Sequence, residues 1–263
     1  MSASVKILIE GYTNANEVGE TGEEKTQPTI TLVRDGDTVM VVDPGIMNSQ
    51  QDLIDKLAEE NLTVDDVNIV CITHSHIDHY RNIGMFPNAK VLEYFGVWEK
   101  NSVENWQEQF SPDIQILRTP GHDKTDITLF VTTGPDSESP GVVAICGDVF
   151  WKENYPAEPK DDSLASNPVE LGHSREMVLK MSDWIIPGHG PMYKAEKIQM
   201  PEDEGRSKIA KKEEPKPIGV CKRCHRSMNR RDRCLCRPWL CHNCCECGLD
   251  CDLCGCSHKK ELQ

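Results

Sequence analysis

The chain has 263 residues, 38% hydrophobic and 27% charged, with a formal net charge of -14, which fits a protein with room for one sizeable core and an appendage. No run approaches the ~18 consecutive apolar residues that span a bilayer, and MSASVKILIEGY lacks the basic start and long apolar stretch of an export signal, so a cytoplasmic protein without membrane contact is expected. Charge and cysteine divide the chain: residues 1–207 carry 16 Lys and Arg against 36 Asp and Glu, residues 208–263 carry 13 against 7, and eleven of the 13 cysteines follow residue 220.

From the N-terminus, short β-branched runs predict strands at residues 5–9, 29–33 and 38–42, the last running into Val41-Val42-Asp43-Pro44-Gly45. Residues 49–60 read as a helix, with Ser49 as N-cap and Leu53, Ile54 and Leu57 as its apolar stripe. A strand at 68–73 leads into Thr73-His74-Ser75-His76-Ile77-Asp78-His79. Four metal-capable side chains crowded at the end of a buried strand make a poor core and a good metal site. Further strands are predicted at 90–92, 115–117, 127–132 and 142–145, and a helix at 174–181 with Met177, Val178 and Met181 on one face. Three more segments end an apolar run with a ligand-type residue: Pro120-Gly121-His122, Gly147-Asp148 and Pro187-Gly188-His189-Gly190. Glycine or proline beside each implies a sharp turn that presents the side chain. Strands mixed with single helices predict a layered α/β domain over residues 1–198. Residues 199–219, rich in charge and proline, read as a linker.

The order THSHIDH, PGH, GD, PGHG resembles that of the metallo-β-lactamase fold hydrolases, from about Val5 to Lys194. The resemblance implies an αβ/βα sandwich with a dinuclear metal site at one edge. It implies that His74, His76 and His122 hold a first ion, that Asp78, His79 and His189 hold a second, and that Asp148 bridges them. Asp43 matches the family's early aspartate, which orients a ligand histidine. Imidazole and carboxylate suit zinc best, giving two active-site Zn²⁺, with iron and manganese as alternatives. Two such ions lower the pKa of a shared water from ~15.7 towards 7, so that hydroxide can attack a carbonyl carbon or phosphorus. Asp78 and Asp148 are then the expected catalytic carboxylates, Asp78 orienting the nucleophile and shuttling its proton. Cys71 and Cys146 read as buried packing residues.

Within the family, ILIEGYTNANEVG, THSHIDHYRNIGMFPNA, TPGHDKTDITLFV, CGDVF, HSREMVL and DWIIPGHGP resemble a branch associated with endoribonuclease activity, which implies phosphodiester hydrolysis of RNA. The runner-up is a thioesterase or other small-ester hydrolase of the same fold, and a third reading makes the chain a scaffold with a secondary hydrolase domain. Only 40 residues separate Asp148 from His189, too few for the long inserted domain of the mRNA-cleavage factors in this superfamily. The acidic bulk of residues 1–207 opposes an extended RNA-binding face. Tyr80, Arg81, Trp151, Lys152 and Tyr155 flank the motifs and are the candidate substrate contacts.

Residues 220–258 read as a cysteine-rich, zinc-ribbon-like module. Cys221, Cys224, Cys234, Cys236, Cys241, Cys244, Cys247, Cys251 and Cys254 are the candidate ligands of two structural Zn²⁺, because so few apolar residues need metal to fold. CKRCH also matches a haem-attachment pattern, which the surrounding cysteines make the weaker reading. Arg226, Arg230, Arg231, Arg233 and Arg237 with Trp239 suit nucleic acid. Eight thiolates with two Zn²⁺ would nevertheless lower the tail's charge to about +2, so a protein partner fits as well.

Overall fold

A computed structural model of the chain describes residues 2–15, 17 and 22–196, and the backbone pairing of residues 219–220 with 227–228. The chain divides into two units, Met1–Gln199 and Met200–Gln263. In the second, Gly219 pairs with Met228 and Val220 with Ser227. The nine tail cysteines expected to hold zinc, and residues 199–218 of the expected linker, lie outside the described residues.

In the first unit β1 (Ser4–Ile9) is followed by a short ribbon of β2 (Tyr12–Thr13) and β3 (Thr26–Gln27), then β4 (Ile30–Asp35), β5 (Thr38–Val42), helix α1 (Gln50–Glu59), β6 (Ile69–Cys71), the helical turn α2 (Ile77–Tyr80), β7 (Lys90–Glu93), β8 (Gly96–Glu99) and β9 (Ser102–Glu104). The second half holds β10 (Ile114–Arg118), β11 (Ile127–Thr133), β12 (Gly141–Ile145), α3 (Pro168–Met181), β13 (Trp184–Ile186) and β14 (Tyr193–Lys194). Two sheets result, ordered β1-β4-β5-β6-β7-β8-β9 and β10-β11-β12-β13-β14. Each is antiparallel at its margins and parallel within, at β5-β6-β7 and at β12-β13. Parallel neighbours need a long crossover, and α1 and α3 supply two of them.

Period-2 alternation builds the layers. Val33, Met40, Val42 and Cys71 of the first sheet meet Ile116, Leu129, Val131 and Ile145 of the second in a shared core. Their neighbours Leu32, Val41 and Val70 point the other way, onto Leu53 and Leu57 of α1. Phe130, Ala144 and Ile185 face Leu171 and Val178 of α3. The result is helix, sheet, sheet, helix. Cys71 and Cys146 are buried.

Ser49 caps α1, its side chain accepting from the Gln51 N–H. The expected stripe is narrower than the sequence reading, since Ile54 is exposed. Helix α3 starts at Pro168, six residues before the predicted start, because the Asn167 side chain accepts from the Val169 and Glu170 N–H groups and Pro168 occupies the first turn. Its buried face is Leu171, Ser174, Arg175 and Val178; of the expected Met177, Val178 and Met181, Val178 is buried. The buried Arg175 fooled the pattern: its guanidinium donates to the Val149 and Pro156 carbonyls at 2.8 and 2.7 Å. The ribbon β2-β3 and strands β8, β9, β13 and β14 lie outside the predicted set, being too short to display a period. No described helix is long and apolar enough to cross a membrane.

Candidate metal centre

The polar motifs sit just beyond the carboxyl ends of the parallel strands, where open α/β sheets collect ligand-binding residues. Asp43 follows β5, Thr73–His79 follow β6, Asp148 follows β12 and His189 follows β13. His122 lies in the turn between β10 and β11. The two sheets are tied at this rim: the Ile127 N–H donates to the Thr73 carbonyl at 2.9 Å, and the Thr29 N–H to the Gly188 carbonyl at 2.7 Å.

The seven candidate ligands converge as two groups. His74, His76, His122 and Asp148 form one, and Asp78, His79 and His189 the other, the ligand atoms within each lying within 4.8 Å of one another. His76 Nδ1 is 3.0 Å from both His74 Nε2 and His122 Nε2. Asp148 stands between the groups. Its Oδ2 is 3.4 Å from His122 Nε2 and 3.9 Å from His74 Nε2, its Oδ1 is 3.4 Å from His79 Nε2, and both oxygens are 3.3 Å from His189 Nε2. Asp78 Oδ2 lies 3.8 Å from His79 Nε2 and 3.6 Å from His189 Nε2.

The scaffold fixes which nitrogen each ring offers. His79 Nδ1–H donates to Asp43 Oδ2 at 2.9 Å, His74 Nδ1–H to Thr73 Oγ1 at 3.2 Å, His122 Nδ1–H to Asp162 Oδ2 at 2.8 Å and His189 Nδ1–H to the Gln27 carbonyl at 3.0 Å. Each therefore turns an Nε2 lone pair inward. Asp43 has a left-handed backbone, φ 51°, and accepts also from the Thr73 N–H and Oγ1–H at 2.7 and 2.6 Å. A non-glycine residue keeps that conformation only when its surroundings fix it, and here three hydrogen bonds do so.

These residues fit a pair of cations. Of the two 3.0 Å contacts at His76 Nδ1, at most one can be a hydrogen bond, so the other sets lone pair against lone pair. His79 Nε2 and Asp148 Oδ1 are buried and make no hydrogen bond, a cost that a cation between them would remove. Electrostatics agrees. Burial, reinforced by the neighbouring His79 ring, holds His74 well below its ordinary pKa. Burial pushes the Asp148 carboxyl up, but His189 and His79, where protonated, outweigh it and hold the group well below the carboxylate range. Burial lowers His79 in turn, but Asp148 and Asp43 outweigh it and raise the ring well above its ordinary pKa, so a cation bound there displaces a proton. Asp148 therefore stays ionised, as a carboxylate shared by cations must.

Close approach explains two glycines. A Cβ on Gly188 would lie 1.8 Å from Asp148 Oδ1. Gly147 has φ 49°, and a Cβ there would lie 2.3 Å from Thr73 Oγ1. Above the site is a cavity of about 330 Å³ whose walls include Thr13, Ala15, Ile46, Ile77, Trp151 and Leu164. Of the candidate substrate contacts Trp151 lines it. Tyr80 packs with the α1 core, Arg81 is exposed, and Lys152 pairs with Glu17 and lies over the Tyr155 ring. Sequence reasoning missed Asp162, Thr73 and Thr26, whose hydroxyl donates to Asp78 Oδ2 at 3.2 Å. Thr73 was the one with a signal, as a hydroxyl at the head of the histidine motif.

Known proteins share this architecture. The model of the metallo-beta-lactamase superfamily matches residues 24–142. Metallo-beta-lactamase domain-containing protein 1 of Xenopus laevis is 30% identical over 203 residues, covering 73% of this chain and 81% of the relative. Its human counterpart is 30% identical over 175 residues, 63% of this chain and 64% of that protein. Among solved structures, a candidate metallo-beta-lactamase of Thermotoga maritima superposes with a TM-score of 0.59 at 20% identity, over 74% of this chain and all of the other. An N-acyl homoserine lactone hydrolase with N-hexanoyl-L-homoserine bound at its catalytic metal centre superposes with a TM-score of 0.53 at 17% identity, over 72% of this chain and 94% of the other. The converging ligands, the two-sheet scaffold and the kinship along the sequence agree: the chain is a metal-dependent hydrolase and belongs to the metallo-beta-lactamase superfamily.

Proposed function

We propose that the chain is a dinuclear zinc hydrolase of compact esters or thioesters. The cavity carries this reading. Among the described residues, and apart from the ligands, its lining holds one charged side chain, Glu24, and no lysine or arginine, while Ile46, Ile77, Leu164, Ala15 and Trp151 make much of its wall. A nucleic-acid strand draws its affinity from several cations along the phosphates and from stacked bases. A compact acyl substrate needs apolar walls over a few charged groups. The acidic surplus of residues 1–207 adds repulsion for a polyanion. A structural relative that binds an acyl homoserine product uses the same scaffold.

In this reading His74, His76 and His122 hold one ion, Asp78, His79 and His189 the other, and Asp148 both. Zinc in that position supplies Lewis acidity and makes hydroxide available at neutral pH. Asp148 keeps the two ligand groups at a fixed separation, with Oδ2 toward His122, Oδ1 toward His79 and both oxygens near His189. The Asp78 side chain is the most exposed of the paired carboxylates there, at 17% against 5% for Asp148, so it faces the cavity. It accepts the proton of the attacking water and returns it to the leaving oxygen or sulfur, with Thr26 Oγ1 fixing its orientation. Trp151, Ile77 and Leu164 cover the acyl part and exclude water from it.

A second reading, phosphodiester hydrolysis of RNA, is favoured by the basic excess of residues 208–263, which would bring RNA to a metal pair equally able to act on phosphorus. There the tail, folded on two structural Zn²⁺, is the RNA-recruiting or partner-docking module of a cytoplasmic enzyme. The full chain, assayed with an acyl-thioester, a lactone and single-stranded RNA, separates the two. Ester or thioester turnover that stops with chelator and in Asp148→Ala, without RNA cleavage, is the expected result. Chelator-sensitive RNA cleavage without ester turnover overturns the ester reading in favour of RNA. Activity that survives both chelator and Asp148→Ala overturns the metal mechanism. Replacing Cys221 and Cys224 with serine lowers the zinc content of the full chain if the tail holds zinc.

A further inference from the structure

His122 Nδ1 faces two groups that ask opposite things of it. The Asp162 Oδ2 carboxylate lies 2.8 Å away and needs a proton on Nδ1. The Trp151 Nε1–H lies 3.3 Å away and needs a lone pair there. A neutral imidazole has one N–H, so it can satisfy only one of them. With the proton on Nδ1, His122 bonds to Asp162 and turns an Nε2 lone pair to the ligand cluster. With the proton on Nε2, Nδ1 accepts from Trp151, and the Nε2–H points at Asp148 Oδ2, 3.4 Å away. The second tautomer cannot bind a cation through Nε2.

All three side chains are buried, so water does not arbitrate. A hydrogen bond to a carboxylate is roughly twice as strong as one between neutral groups, and the 2.8 Å contact to Asp162 is shorter than the 3.4 Å one to Asp148 that the other tautomer would use, which favours Asp162. Its place is fixed at both ends. Asp162 Oδ1 accepts from the Leu164 N–H at 2.9 Å. The Ser166 N–H donates to the His122 carbonyl at 2.8 Å and the Asn167 N–H to the Gly121 carbonyl at 2.9 Å. The segment carrying Asp162 is thus bonded to the turn carrying His122.

We propose that Asp162 is a positioning residue that selects the cation-binding tautomer of His122 against the competing indole N–H of Trp151, and so sets how tightly the first ion is held. The inference rests on the reading of His122 as a ligand. It also links that ion to the cavity, since Trp151 and Leu164 line it.

The test uses the full chain and two measurements. Nitrogen-15 NMR of the imidazoles in metal-free protein, recorded at alkaline pH where His122 is neutral, reads the tautomer, and chelator competition with Zn²⁺ reads the affinity of the first ion. The wild type carries its proton on Nδ1. In Asp162→Asn, a near-isosteric change, the amide carbonyl retains the Leu164 N–H and the amide NH₂ donates to His122 Nδ1. The proton moves to Nε2 and affinity falls about 10–100-fold, the range seen when groups behind a metal ligand are changed. Asp162→Ala acts in the same direction, because Trp151 then supplies the donor. Adding Trp151→Phe to Asp162→Ala removes that donor and restores part of the affinity, whereas a merely structural role makes the double variant worse than the single. A proton retained on Nδ1 in Asp162→Asn, or a double variant weaker than Asp162→Ala, overturns the proposal. A tautomer change without an affinity change overturns instead the assignment of His122 as a ligand. The melting transition of each variant reports folding, and Asp162→Asn carries the test if Asp162→Ala does not fold.

Discussion

The two halves of the centre are anchored by different parts of the fold. His79 is held by Asp43, and the two residues follow β5 and β6, adjacent parallel strands of one sheet. One carboxylate there fixes both the ligand and Thr73 at the head of the motif. His122 is held by Asp162, which belongs to the segment between β12 and α3. That segment also supplies Trp151 and Leu164 to the cavity. His79 is therefore set by sheet pairing, as is His74 through Thr73, whereas His122 is set by a loop, the kind of element that varies most. A change in the segment carrying Asp162 and Leu164 would thus touch both the cavity wall and the support of His122.

The comparison can be broken most severely where the halves meet. Asp148→Ala removes the one residue that turns an oxygen to each group. Both ions are expected to be lost, with hydrolysis down at least ~10³-fold, the equivalent of the several kcal/mol a bound metal supplies. Metal analysis and steady-state assays check this, and retention of both ions would show that Asp148 bridges nothing. Gly188→Ala places a Cβ 1.8 Å from Asp148 Oδ1. It should weaken both ions together and cost about 1–3 kcal/mol of stability by overpacking, read from chelator competition and urea unfolding. Asp43→Asn sharpens the contrast. It should weaken the second ion by about 10–100-fold and the first less, through Thr73, which Asp43 holds and which accepts from His74 Nδ1–H. Asp162→Asn should show the reverse order, and a two-step Co²⁺ titration followed by absorbance distinguishes the patterns. Equal losses of both ions in both variants would remove the distinction between the halves.

The smallest effect concerns Asp126, beside the His122 turn. Burial holds its carboxyl well above the usual carboxylate range, and its Oδ1 is buried without a hydrogen-bond partner. Below the unfolded value of ~3.9 the group is protonated in both states, and Asp126→Asn changes no linkage. As pH rises from there, the unfolded chain ionises first, and the native chain loses stability until its own higher value is passed. The asparagine variant escapes that loss. Metal-free Asp126→Asn should therefore gain on the wild type from about pH 4 upward, seen as a widening gap in urea midpoints. A gap independent of pH would contradict the raised value.

Much of the centre was legible before folding was considered. Clustered histidines and aspartate after one apolar run, and glycine-flanked polar residues after three others, mark ligand positions through side-chain chemistry that local sequence records. Most strands of the two sheets were legible for the same reason, since burial of one face writes alternation into the chain. The start of α3 was not. Asn167 and Pro168 outweighed the apolar pattern, and Arg175 sits in the core because Val149 and Pro156 offer carbonyls from a distant loop.

The sequence by itself determined the ligand types, their order and the family they imply, because these depend on which atoms are present and what precedes them. Only the tertiary structure decided that Asp148 reaches both groups, that no lysine or arginine among the described residues lines the cavity, and that Asp162 stands behind His122. Asp161 and Asp162 are chemically identical neighbours in an unremarkable acidic loop. What separates them is contact with a ring 40 residues away, a relation that arises only when the two segments pack.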